Sequence, residues 1–363
     1  GTGPRFRVAG DATRVVYWRT EMKKFIGPLR MLALFACLGL IAANVSAQDD
    51  ATKTTKLRYK TIAKWNIELP SETFTPINGA IPVGQGFATE IDGAALVVDI
   101  NGDGKTDEKA RGVAALITLK GGTGGLSHDY TLRLVNEGGW KWASSGALEG
   151  KIAGNRIAII DQNNNGRFND FGEDAMIVGR SDAAAFLSKV VSVGGSLYEI
   201  ELSDDGSELA YKPYTGKAGT LNLVKEFESK GKLASVVVRN ENGDFSFELS
   251  DAKRGMLLPE GLYSIVAGKV EMGKESCQIR TGECKPIRVS EDEPSVFAWG
   301  GPIRAEFDYT RSGEEVTFSP QSLWFFGKAG EEYHNWIPDG APPKFIIKDE
   351  NGREITTAKF GGC

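Results

Sequence analysis

The stretch Asp161-Gln162-Asn163-Asn164-Asn165-Gly166-Arg167-Phe168-Asn169-Asp170-Phe171-Gly172-Glu173-Asp174 crowds oxygen-bearing side chains into one loop, directly after an apolar run over residues 157–160. An earlier segment repeats the arrangement. Behind the apolar residues 94–98 come Asp99, Asn101, Asp103 and Asp107, with Gly104 at the sixth place. Alternate residues of a tightly turning loop point several oxygens inward, and a hard cation such as Ca²⁺ takes about six to eight oxygens at roughly 2.3–2.6 Å. Against the loop pattern D-x-[DN]-x-[DN]-G-x5-E, Asp161, Asn163, Asn165 and Gly166 fit, Arg167 offers its backbone carbonyl and Asn169 takes the ninth place. The twelfth place is Gly172 here and Ala110 in the earlier loop, where the pattern has a bidentate Glu. Closure of the shell then falls to Asp170, Glu173 or Asp174 in the second loop, and to Asp107 or Glu108 in the first. Calcium is the cofactor these spacings predict, as a structural clamp between strands.

Asp, Asn and Gly are also what hairpin turns use, because they tolerate left-handed backbone and bond to it through their side chains. The chain contains its own controls in Asp204-Asp205-Gly206, Asn240-Glu241-Asn242-Gly243-Asp244 and Asp349-Glu350-Asn351-Gly352. These short turns between apolar runs read as plain hairpins. The two long loops differ by placing a third and fourth oxygen donor on alternate positions.

Other chemistry is thinner. The chain has two His, in Ser127-His128-Asp129 and in Glu331-Glu332-Tyr333-His334-Asn335-Trp336. Neighbours in sequence point apart on a strand, so the first is not a triad. The second reads as a connecting loop with Trp336 packed, although an acid, a His and aromatics also suit a sugar site. Trp140 and Trp142 alternate on one strand face, which predicts core packing and leaves sugar stacking as the competing use. No phosphate-binding loop, nucleophile elbow, zinc-helix or dinucleotide fingerprint occurs. Cys277 and Cys284 flank a short span with a Gly turn, which predicts a disulfide across a hairpin in an oxidising compartment. Zn²⁺ needs four ligands, more than this Cys and His supply favours. Cys363 stands last and unpaired.

The elements that must hold these residues are short apolar runs broken by Gly and Pro. The 45 Gly among 363 residues exceed the usual share of about 7%, and such frequent turns favour an all-β chain. The formal net charge is −5, and no basic stripe points to nucleic acid. We read residues 1–21 as an over-extended start outside the fold, 22–47 as a secretory signal peptide with a basic opening, an apolar core and the small-residue site Val45-Ser46-Ala47, and 48–56 as a disordered leader. The apolar core is too short for a spanning helix, so no transmembrane segment is expected after cleavage. Residues 57–215 then form a β domain carrying both calcium-type loops. The one helical candidate covers 183–191, capped by Ser181 or Asp182. Residues 216–363 read as an Ig-like or prealbumin-like β-sandwich, giving a mainly β fold overall.

Within that second half, Pro259, Gly261 and Tyr263 lie in a segment that resembles the P-x-G-x-Y strand opening of carboxypeptidase regulatory-like modules. Taken whole, the signal, the two loops and the sandwich make the chain similar to secreted bacterial proteins that pair D-x-N-x-D-G calcium loops with Ig-like modules. The resemblance implies export to the periplasm, cell envelope or exterior, and it implies no substrate. The favoured expectation is a non-enzymatic envelope or surface module with a protein or glycan partner. The competing one is a carbohydrate-active enzyme or binding module using acidic residues and exposed Trp.

Overall fold

The computed structural model describes residues 5–7, 51–313, 315–337, 344–348 and 351–359. Residues 22–47, read above as a signal peptide, and Cys363 lie outside the described residues. The chain divides into two compact units. The larger comprises Ala51–Ile303 and Phe325–Asp339 and contains both long loops. Every described element is a strand, nearly all pairing is antiparallel, and no helix occurs among the described residues. None is therefore long and apolar enough to cross a membrane.

The first half of the larger unit is built from four sheets. One orders Ala80–Ile81, Phe87–Asp92, Ala95–Val98 and Glu108–Ala110, and the first long loop joins its last two strands. A second orders Ala185–Phe186, Ala175–Val178, Asn155–Ile160, Gly146–Ile152 and Arg58–Thr61, and the second long loop joins Asn155–Ile160 to Ala175–Val178. Residues 157–160 are all buried, as expected of a central strand covered on both faces. Trp140–Ser144 sits between Thr75–Pro76 and Tyr130–Asn136, which is flanked in turn by Ala114–Leu119. The fourth sheet holds Val190–Val193, Ser196–Leu202, Glu208–Pro213 and Lys53–Lys56. One apolar core, including Phe87, Leu96, Tyr130, Trp142, Leu148 and Phe168, fills the space between them.

A second core, around Leu221, Val236, Val238, Tyr263, Ile265 and Trp299, lies against a sheet ordered Glu332–Ile337, Glu275–Arg280, Gly261–Met272, Lys232–Asn240 and Ser246–Glu248. Tyr263 is buried and its hydroxyl donates to the Pro259 carbonyl at 2.9 Å. In the smaller unit, Arg304–Ser312 pairs with the strand that begins at Glu315, and Lys344–Lys348 forms a hairpin with Glu354–Lys359.

Four expectations are corrected. Residues 183–191 form no helix, because their backbone is engaged elsewhere. The Ala184 and Leu187 N–H groups donate to the distant carbonyls of Glu68 and Asp174 at 3.0 and 2.7 Å, and Ser181 Oγ accepts from Ala183 in a local turn. The leader is ordered over Lys53–Lys56, which pairs antiparallel with Glu208–Pro213. Arg5–Arg7, in the segment read as outside the fold, pairs with Glu315 to Thr317. Edge strands pair through backbone and need no apolar pattern, which is why composition missed both. Finally, Cys277 and Cys284 are buried free thiols. Glu275–Arg280 and Ile287–Val289 both pair with Gly261–Met272, running end to end along it, so the two Cys never face each other across a hairpin.

Candidate metal centre

In the first loop, Val98 pairs with Glu108, so the chain between them must reverse. Gly104 makes this possible at φ 83, a left-handed conformation that side chains disfavour. Asp99 is buried at the loop's root and organises it. Its Oδ1 accepts the Asn101 and Gly102 N–H groups at 3.1 and 2.7 Å, and its Oδ2 accepts that of Gly104 at 2.9 Å. Asn101 Oδ1 accepts from Asp103 N–H and Asp103 Oδ1 from Lys105 N–H, each at 2.9 Å. Asp107 Oδ2 reaches back to the Ile100 N–H at 3.3 Å. The result gathers one oxygen from each of Asp99, Asp103 and Asp107 within 4.8 Å of one another, a cluster that could hold a metal ion. Asp103 and Asp107 are exposed. The donors are all oxygen, which suits hard cations over Zn²⁺ or Cu²⁺.

In the second loop, Ile160 pairs with Ala175 and the intervening residues again fold around their first Asp. Asp161 is fully buried and accepts the Asn165 and Gly166 N–H groups at 3.2 and 2.6 Å. The Tyr130 hydroxyl also donates to it, at 2.6 Å. Gly166 takes φ 84, which side chains disfavour, and a Cβ there would stand in tight contact, 3.1 Å from Val83 Cβ. Asn163 and Asn165 lie exposed on the rim, and both amides donate to Asp170 Oδ2, at 3.4 and 2.5 Å. Asn169 is half-buried. Asp174 is fully buried; its Oδ2 accepts the Asp170 N–H at 3.0 Å. Burial pushes the Asp161 carboxyl up to about 6. Burial, followed by the charges of Asp161 and Asp170, pushes Asp174 up to about 9.

The control turn behaves differently. Asp205 is exposed and accepts the Ser207 N–H and the Ser203 and Ser207 hydroxyls at 3.0, 2.7 and 2.8 Å. These bonds hold it down to about 2, the ordinary state of a turn carboxylate that stays ionised.

Three participants were not foreseen. Tyr130 underlies the second loop, packing edge-on against Trp142 and Phe168 at centroid distances of 6.2 Å each. Asn164, at φ 62, latches the loop to its neighbours: its Oδ1 accepts from Ser144 N–H at 2.9 Å and its Nδ2 donates to the Thr73 carbonyl at 2.8 Å. Gln162 Nε2 donates to the Glu173 carbonyl at 2.6 Å. Only the left-handed tolerance of Asn hinted at any of these, since the partners are distant in sequence.

The residues considered for sugar chemistry disperse. Trp140 and Trp142 are buried, so neither presents a stacking face. Trp336 is 46% exposed and leans on Phe325 and Tyr333. It lies on the strand Glu332–Ile337, not on a connecting loop. Glu331 is buried and accepts from Gly300 N–H, Ala329 N–H and the Tyr333 hydroxyl. His128 bonds the Asp205 carbonyl at 2.8 Å, away from any triad. A cleft of about 460 Å³, also unforeseen, is lined by Glu68, Glu72, Arg280 and His334 among others. Its charges are already paired, Glu68 with Lys269, Glu72 with Arg133 and Arg280 with Glu332.

No protein-family model, curated protein or solved structure matches the chain.

Proposed function

We propose that the protein is an exported, Ca²⁺-stabilised β protein that serves as a non-enzymatic binding or structural module of the cell envelope or surface, with a protein or glycan partner. The observation that carries the reading is the gathering of Asp99, Asp103 and Asp107 oxygens within 4.8 Å. Three carboxylates at that spacing repel one another, and a divalent cation relieves the repulsion. Calcium suits the site because an all-oxygen, partly exposed loop tolerates its flexible coordination. Mg²⁺ demands a near-ideal octahedron. An exterior compartment would supply Ca²⁺ at the concentrations that weak sites of this kind need, with dissociation constants of roughly 10⁻⁴–10⁻³ M. Burial of Trp140 and Trp142 takes from the sugar-binding alternative two of its three aromatic candidates.

The test is thermal unfolding of the full chain in excess Ca²⁺ and in chelator. Ion bound only to the folded state adds about 2.7 kcal/mol at a hundredfold excess over the dissociation constant. The reading expects a raised midpoint that shrinks in an Asp99→Ala, Asp103→Ala variant. An identical midpoint in Ca²⁺ and chelator would overturn it and make a glycan-binding screen the next experiment.

A further inference from the structure

We propose that the second loop holds its own divalent cation between Asp161 and Asp174, with Asp174, the fourteenth residue of the loop, closing the shell in place of the twelfth. The choice of calcium rests on the reading of the first loop; the existence of the site does not.

The twelfth position is spent on backbone geometry. Gly172 sits at φ 83, its N–H donates to the Leu187 carbonyl at 2.8 Å, and a Cβ there would meet an Arg239 nitrogen at 2.5 Å. A ligand side chain at that place would have to displace the end of the Arg239 side chain and hold a left-handed backbone that side chains disfavour. The chain turns on, and the Asp174 N–H returns to the Asp170 carbonyl at 2.9 Å. Glu173 is left exposed and Asp174 is carried inside.

Asp174 is then an anomaly. It is 0% exposed, and its Oδ1 is one of three buried side-chain polar atoms with no hydrogen-bond partner among the described residues. Buried polar atoms are almost always satisfied, and an orphaned carboxylate oxygen is among the costliest exceptions. Asp161, also 0% exposed, stands in the same loop, and no Lys or Arg among the described residues pairs with Asp161, Asp170 or Asp174. A cation satisfies the orphan oxygen and balances the buried carboxylates together. It would displace the Asn163 and Asn165 amides that now donate to Asp170. Turning those amides over would present their oxygens from the third and fifth places, which makes the donor set wholly oxygen and suited to Ca²⁺.

The test uses Tb³⁺ as the probe on the full chain, excited through aromatic side chains. Tyr130 bonds Asp161 directly, so an ion in the second loop gives sensitised emission. The emission should persist in Asp99→Ala, compete with Ca²⁺, and lose at least about tenfold in affinity in the near-isosteric Asp174→Asn, since even an outer-shell partner is worth that much. Unchanged affinity in Asp174→Asn would overturn the proposal. Equilibrium dialysis with Ca²⁺ gives a readout that needs no Asp174 variant. Two ions per wild-type chain and one in Asp99→Ala support it. One ion falling to none overturns it while leaving the first-loop reading in place. One ion in both proteins sinks the first-loop reading and upholds this one, and no ion in either overturns both.

Discussion

The two long loops open with the same spacing of Asp, Asn and Gly, yet the fold sets them in different media. In the first, one carboxylate is buried and two stand at the surface, where water and salt share in stabilising their charge. In the second, the exposed third and fifth places carry neutral Asn, while Asp161 and Asp174 are both buried and the Tyr130 hydroxyl bonds Asp161. The same spacing, filled with Asp at the fifth and ninth places in one loop and Asn in the other, therefore yields one site governed by charge count and another governed by desolvation. Affinity in the first should follow the solvent, and stability in the second should follow whatever neutralises the carboxylates.

The largest effect that would break this comparison comes from removing the root residue of each loop. Asp161→Ala strands the Tyr130 hydroxyl and two backbone N–H groups in the interior, so we expect a loss of about 3–5 kcal/mol. Asp99→Ala strands three backbone donors, but Gly102 and Gly104 are exposed and water can replace the carboxylate. Its cost should be about 1–2 kcal/mol. Denaturant unfolding in chelator measures both, and equal losses would mean that burial does not separate the loops.

The next effect is on pH. Asp161 and Asp174 have folded-state values near 6 and 9, above the ordinary carboxylate value of 3.8. The fold therefore holds protons that the unfolded chain releases. Stability of the chelated protein should be full in acid and decline as pH climbs from about 4 until Asp174 ionises near about 9. Asp174→Asn should flatten that decline, and saturating Ca²⁺ should flatten it as well. A chelated wild type as stable at about pH 9 as at about pH 5 would contradict the account.

Ionic strength gives the smallest effect. Raising salt from about 0.1 to about 1 M shortens the screening length from about 10 to about 3 Å. Calcium affinity should fall several-fold at the first loop, where Asp103 and Asp107 face solvent, and much less at the second. Calorimetric titration of Asp174→Asn and Asp99→Ala proteins at both salts separates the two sites, and matched losses would remove the distinction.

How much of this could be read in the sequence depends on how local the determining contact is. Apolar runs such as residues 157–160, bounded by turn residues, announced strands because period and punctuation are local signals. The ligand spacing and the choice of closing residue among Asp170, Glu173 and Asp174 were legible for the same reason. The depth of Asp174 was not, since it follows from backbone bonds to a distant residue: the Gly172 N–H donates to the Leu187 carbonyl and the Leu187 N–H to that of Asp174. The Ala-rich stretch after Ser181 looked helical on propensity, and backbone pairing with Glu68 and Asp174 overrode it. Cys277 and Cys284 had hairpin spacing, but a long partner strand accepts both flanking segments in line, which spacing alone does not reveal. The burial of Trp140 and Trp142 agreed with their alternation, because a sheet with one face on a core produces that pattern.

The most direct test of the central claim is a crystal structure of the full chain grown with calcium, with the ions located by anomalous scattering. The account predicts a peak among Asp99, Asp103 and Asp107, and a second between Asp161 and Asp174, each with oxygens at about 2.3–2.6 Å. Water at hydrogen-bonding distance in both places, under saturating calcium, would contradict it.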